Sequence, residues 1–126
     1  MTDSNPLDDL SLFQIKRVVS PETGAIKTWL PPTGNPNGPL MLILSHPNYE
    51  DVASQQLLTG DYRREILEAC AAAKIDFTQE VYVTSMVKYS IGKKPKPTSE
   101  QIAECTPQLV AEINRLKPRL IMCLGA

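Results

Sequence analysis

The chain has 126 residues, 42% of them hydrophobic, enough for one small globular core and too few within this sequence for two. No apolar run approaches the ~20 residues of a membrane-crossing helix, and the acidic, polar start MTDSNPLDDL is not a signal peptide. The net charge of −1 excludes bulk attraction to nucleic acid, yet residues 1–80 hold 6 Lys/Arg against 11 Asp/Glu and residues 81–126 hold 7 against 3.

Residues 1–36 read as a tail, a hairpin and a linker. The first eleven are polar and acidic and are expected to be weakly ordered. FQIKRVVSPETGAIKTWL then carries two β-rich runs around Pro21–Gly24, the pattern of a hairpin in which Gly24 supplies a turn position. Trp29, the only tryptophan, either pins this hairpin to the core or stacks a nucleotide. PPTGNPNGP follows as a Pro/Gly-rich linker without regular structure.

Residues 37–126 alternate between element types. Leu40–Leu44 is a continuous apolar run, as expected of a strand buried on both faces. A helix is predicted over about 54–74, where Leu58, Tyr62, Ile66 and Cys70 recur at i+4 and alanines follow. Val81–Thr84 is a second short strand. Thr98 opens another helix with Gln101 placed for a capping box. Ile102, Leu109, Ile113 and Leu116 form its apolar stripe, Pro107 is expected to kink it and Pro118 to end it. RLIMCLGA supplies a third buried strand, Leu120–Leu124. Cys70, Cys105 and Cys123 each fall in an apolar stretch with no CxxC pair, which predicts reduced, buried thiols and a cytoplasmic protein.

Strand, helix, strand, helix, strand predicts an α/β fold: a parallel sheet with right-handed crossovers and helices on both faces, in three layers. Ligands of such sheets bind beyond the carboxyl ends of the strands. Three segments are expected to meet on that rim: Ser45–Asp51 with the only histidine, His46, Ser85–Pro97 with Lys88, Lys93, Lys94 and Lys96, and whatever follows Leu124. The lysine run is either a solvated loop or a phosphate contact. Because the pattern stops after the third strand, the domain is expected to be the N-terminal portion of a larger one. Leu120, Met122 and Leu124 are then expected to lie exposed on one side or the other, giving either self-association through that edge or a conditional fold.

GNPNGPLMLILSHPNYED, followed by EVYVTSMVKYSIGKKPKPTSEQIAECTPQLVAEINRLKPRLIMCLGA, resembles the uracil-DNA glycosylase superfamily, closest to its family 4 type, described also as phage DNA-polymerase-related. The resemblance runs from about Gly34 to Ala126 and is most specific from Val81 onward. It implies a parallel sheet between helices and hydrolysis of the bond joining a deaminated base to its sugar. The base is extruded into a pocket, and the positive charge left on the sugar is stabilised by a carboxylate or a polarised water.

Carried over residue by residue, the resemblance fits poorly where the chemistry lies. Anchored on Pro47, the family's first motif aligns with Leu44, Ser45, His46, Pro47 and Asn48, so that Ser45 stands in place of the water-activating glutamate. His46 holds the slot where other branches place a catalytic Asp or Asn. It is open to three readings: a catalytic or water-positioning group, a substrate or DNA contact, or a rim histidine bonded to the backbone. Glu50 and Asp51 match the acidic pair after the motif, as general-base carboxylates or as ordinary acids at a helix start. Pro47 and Asn48 shape a turn or touch substrate. Leu58 falls near the stacking phenylalanine and Ser85 replaces the base-reading asparagine. Lys88, Lys93 and Lys94 are the candidate phosphate contacts. Tyr89 follows Lys88 where family 4 places an iron–sulfur cysteine, and no cysteine precedes the first strand, so no cluster and no metal are expected.

The sequence therefore supports a uracil-DNA glycosylase-like protein that acts on or binds DNA. The alternative is a domain that has lost catalysis and serves DNA binding or assembly, for example attached to a phage-type DNA polymerase. A third, weaker reading is an unrelated nucleotide binder on the same topology. The partners implied are single- or double-stranded DNA and a replication or polymerase protein, with no membrane.

Overall fold

The five-residue run Leu40–Leu44 has no polar position, so it is stable only where both faces are covered. That is where the computed structural model puts it, and the residues described are 16–19, 26–92 and 96–124. In chain order the elements are β1 (Lys16–Val19), β2 (Ile26–Trp29), β3 (Thr33–Gly34), β4 (Leu40–Leu44) and α1 (Tyr49–Ser54). After them come α2 (Asp61–Ala72), α3 (Phe77–Glu80), β5 (Val81–Ser85), α4 (Ser99–Leu116) and β6 (Leu120–Leu124). β1 and β2 form the expected antiparallel hairpin, Lys16 opposite Trp29. Gly24 and the tail lie outside the described residues.

The main sheet has the order β3-β5-β4-β6. β4 pairs in parallel with β5, Leu40 opposite Val81, and with β6, Leu40 opposite Leu120. Parallel neighbours need a crossover, and the intervening helices provide it on both faces. Leu40, Leu42, Leu44, Val81 and Val83 point to one face and pack with Leu57, Leu58 and Cys70, against which Ile66 and Phe77 close. Met41, Ile43 and Tyr82 point to the other, where Leu109, Ile113 and Leu116 of α4 cover them. The α/β, three-layer expectation holds.

Several boundaries differ from expectation. PPTGNPNGP contains a strand: β3 pairs antiparallel with β5, Gly34 opposite Tyr82, which makes the sheet mixed. Gly34 sits at φ +92°, and a Cβ there would run into the Val81 carbonyl, so the close pairing depends on its lacking a side chain. The helix predicted over 54–74 is shorter, α2 starting only at Asp61, and a separate helix, α1, precedes it. Between α1 and α2 the chain turns through left-handed residues at Gln55 and Leu58, and the i+4 spacing of Leu58 and Tyr62 spans that turn. α4 opens with the predicted Thr98–Gln101 capping box, runs through Pro107 to Leu116, and stops at left-handed Lys117 before Pro118. Cys70 and Cys105 are buried as expected, but Cys123 is exposed. β6 is an edge strand whose faces are both open among the described residues, with Leu120, Ile121 and Met122 exposed.

Candidate functional site

Where β4 ends, the chain turns sharply into α1, and Asn48 and Asp51 build that turn between them. The Asn48 side chain accepts from the Asp51 N–H at 2.8 Å, and the Asp51 carboxylate accepts from the Asn48 N–H at 3.2 Å. This reciprocal cap satisfies amides that the helix leaves unpaired. The second Asp51 oxygen reaches across to Thr59, accepting from its N–H and its hydroxyl at 2.9 Å each. Asp51 is buried with its oxygens taken up by these bonds. Of the two readings of Asp51, the geometry shows the acid at a helix start: its carboxylate caps α1 and holds the 55–60 turn against it, while it also lines the cleft described below. Glu50 points the other way, exposed and against Gly60, where a Cβ would meet its carboxylate at 2.8 Å. It lines an outer groove with Arg63, Arg64 and Glu68 and not the cleft described next.

Above the carboxyl ends of β4 and β6 lies a cleft of about 250 Å³, lined by Leu44, Ser45, His46, Asn48, Asp51, Leu58, Gly60, Tyr62 and Leu124. Its position is the one that parallel topology assigns to a ligand. Leu44, Leu58 and Leu124 form apolar walls, and Ser45, His46 and Asn48 place polar groups on one rim. His46 Nδ1 lies 2.9 Å from the Pro47 carbonyl oxygen. A carbonyl only accepts, so Nδ1 carries the hydrogen and a neutral ring keeps Nε2 as an acceptor. Pro47 is buried and contributes this carbonyl, not a wall of the cleft.

Tyr62 is the residue that the sequence reading misplaced. Its i+4 spacing put it on the core stripe, but it sits in the first turn of α2, 40% exposed, with its ring at the cleft. An aromatic next to a turn of small residues (Thr59, Gly60) is the signal that would have found it. Leu58 does line the cleft, held there by the left-handed backbone at φ 60°.

The β5 side differs from expectation more sharply. Ser85 is buried at the end of β5, on the same face as Val81 and Val83, and its hydroxyl has no partner among the described residues. It lies beneath the rim and is not among the residues lining the cleft. Lys88, expected to meet phosphate, is 1% exposed. Its ammonium is ion-paired with Glu112 of α4 and donates to Thr84 Oγ1 at 2.8 Å and to the Ser85 carbonyl at 2.6 Å. Tyr82 donates its phenol hydrogen to the other Glu112 oxygen at 2.7 Å. The physical reason is that residue 88 folds onto the α4 face, where Glu112 supplies the counter-charge that lets an ammonium be buried. Burial pulls the Lys88 ammonium below its ordinary range, with Glu112 acting against that shift, and pushes the Tyr82 phenol above its own. Lys93 and Lys94 lie outside the described residues.

The residue after Lys88 is equally informative. Tyr89 is buried beside Val87, Ile91 and Cys105, with Trp29 5.9 Å away at 45° between rings. Trp29 thus pins the hairpin to the core. Cys70, Cys105 and Cys123 sit on α2, α4 and β6, and no group of three metal-ligating side chains forms among the described residues. These residues do not fit an iron–sulfur cluster.

The pattern of the uracil-DNA glycosylase superfamily matches residues 31–126, which takes in the whole main sheet and the cleft. The chain belongs to that superfamily. It is similar to the type-4 uracil-DNA glycosylase of Archaeoglobus fulgidus, 23% identical over 97 residues, covering 77% of this chain and 48% of that protein. It is also similar to a DNA polymerase of Bacillus phage SP01, 26% identical over 92 residues, covering 73% of this chain and 10% of that protein. The chain therefore spans about half the length of the first relative and a tenth of the second.

Proposed function

We propose that the protein acts on DNA as a glycosylase of this superfamily, taking an extruded uracil or other deaminated base into the cleft above β4 and β6. The observation that carries this reading is His46: it lines the cleft with Nδ1 tied to the Pro47 carbonyl and Nε2 left as an acceptor. In the proposed reaction the base–sugar bond breaks and the base leaves with the electron pair. A water oxygen then bonds to the sugar carbon and gives its proton to Nε2. A neutral imidazole orients that water without adding positive charge beside the sugar cation. Tyr62 stacks the extruded base, Ser45 and Asn48 bond its edge, and Lys93 and Lys94 meet phosphates.

One observation favours a second reading, a domain that holds DNA without cutting the bond. Asp51, the carboxylate that lines the cleft among the described residues, is engaged by three hydrogen bonds, and Glu50 lies outside the cleft. The similarity to a phage polymerase supports a replication setting for that role. Uracil-containing single- and double-stranded oligonucleotides decide between the two, with base release read by alkaline strand cleavage and His46→Ala run in parallel. Release that disappears in the variant supports the glycosylase. Salt-sensitive binding without release supports the holding domain, and neither binding nor release overturns both.

A further inference from the structure

The buried pair beneath the cleft is unusual in what it touches. Lys88 Nζ bonds the Ser85 carbonyl, the last residue of β5, and Thr84 Oγ1, while Glu112 anchors it to α4 and is itself held by Tyr82. The two residues between them bond the cleft rim directly: Met86 N–H donates to the Leu44 carbonyl at 2.7 Å and Val87 N–H to the Ser45 carbonyl at 3.0 Å. Lys88 also fastens the hairpin side, since its own carbonyl accepts from Leu30 N–H at 2.8 Å. The segment 85–88 is thus clamped at both ends while its middle carries Leu44 and Ser45, the residues immediately before His46.

We propose that Lys88 and Glu112 are positioning residues for the cleft: by fixing the Ser85 carbonyl from below, they set where Ser45 and His46 stand at its rim. A buried ion pair is a poor device for stability, because apolar residues of similar volume often serve as well or better. What it supplies here is direction, for the ammonium aims three bonds at two neighbouring residues and one helix, and a hydrocarbon would aim none. This reading of the pair as a rim device rests on the cleft being the functional site proposed above.

The test uses the full chain and the double variant Lys88→Met/Glu112→Leu, which removes both charges together. The variant is expected to fold with a lowered unfolding midpoint, because the buried Tyr82 hydroxyl and the Ser85 carbonyl lose their partners, while the Met86 and Val87 amides exchange with solvent at least ~10-fold faster and the His46 ring resonances shift. Binding of a uracil-containing single strand is expected to fall by about tenfold. Unchanged amide protection together with unchanged His46 resonances would overturn the proposal and leave the pair as core filling. If the variant does not fold, the native protein still decides. Met86 and Val87 amides held by the clamp open only with global unfolding, whereas exchange insensitive to denaturant would refute the clamp. If the native protein binds no DNA, the functional reading falls, while the exchange and resonance readouts still decide the positioning role.

Discussion

Asp51→Asn separates a structural carboxylate from a catalytic one. In the native protein this buried side chain accepts from Asn48 N–H at 3.2 Å and from Thr59 N–H and Oγ1 at 2.9 Å each. The amide keeps one oxygen, which can face Thr59, but those two bonds lose their charge assistance, about 1 kcal/mol each. Its NH₂ then faces the Asn48 N–H, donor against donor, which costs about 1–3 kcal/mol if fully buried. Asn48 is exposed, so water takes up part of that cost and the low end applies. An amide is also easier to bury than a carboxylate, which returns a fraction of the loss. The expected destabilisation is about 2–3 kcal/mol, out of the ~5–15 kcal/mol usual for a domain. Urea denaturation measures it, and the Thr59 amide is expected to lose exchange protection first because the 55–60 turn is the segment released. A variant with native stability and native Thr59 protection that nonetheless fails to release base would refute this reasoning and restore Asp51 as a catalytic group.

Other outcomes follow from the same geometry. Tyr62→Ala is expected to weaken uracil-strand binding roughly 5- to 150-fold, the ~1–3 kcal/mol of a stacked base, while Tyr62→Phe binds normally; fluorescence anisotropy reads both. Gly34→Ala forces a side chain into φ +92° against the Val81 carbonyl and is expected to cost ~2 kcal/mol or more, measured by thermal unfolding. The phenols of Tyr82 and Tyr89 are held above their ordinary value by burial and by Glu112 and Glu104 respectively. The folded chain therefore keeps two protons that the unfolded chain gives up. Stability is full below pH ~10 and falls above it, by about 1.4 kcal/mol per pH unit for each phenol. Lys88, shifted the other way, contributes with opposite sign up to pH ~10.4, so the loss steepens beyond that point. Urea titrations from pH 9 to 11.5 check this, and Tyr82→Phe is expected to flatten the slope.

Signals carried by neighbouring residues were legible in the sequence. The unbroken apolar run Leu40–Leu44 declared a strand covered on both faces, and Thr98 with Gln101 declared where α4 starts. The two β-rich runs around Pro21–Gly24 declared the hairpin, and the alternation of elements declared the layers and the rim on which His46 stands. All of these depend on chemistry repeated within a few residues, through periodicity, caps and turns. Superfamily membership was legible too, and the superfamily pattern matches residues 31–126.

What only the tertiary structure decided is what each side chain meets across the fold. Lys88 stands in a run of lysines that reads as solvent-facing, yet its partner is Glu112, 24 residues further on and on another element. Asp51 looks like half of an acidic pair, but Thr59 reaches it only because Gln55 and Leu58 turn through left-handed backbone, a conformation that their residue types do not announce. The same turn replaces the first part of the expected helix and puts Tyr62 in the first turn of α2, at the cleft. β3 hides in a Pro/Gly-rich stretch because two residues of pairing, made possible by Gly34 lying against Val81, leave no periodicity to read. Local chemistry determined most of the elements; long-range contact determined β3 and which charges are buried, and so which residues are left to work.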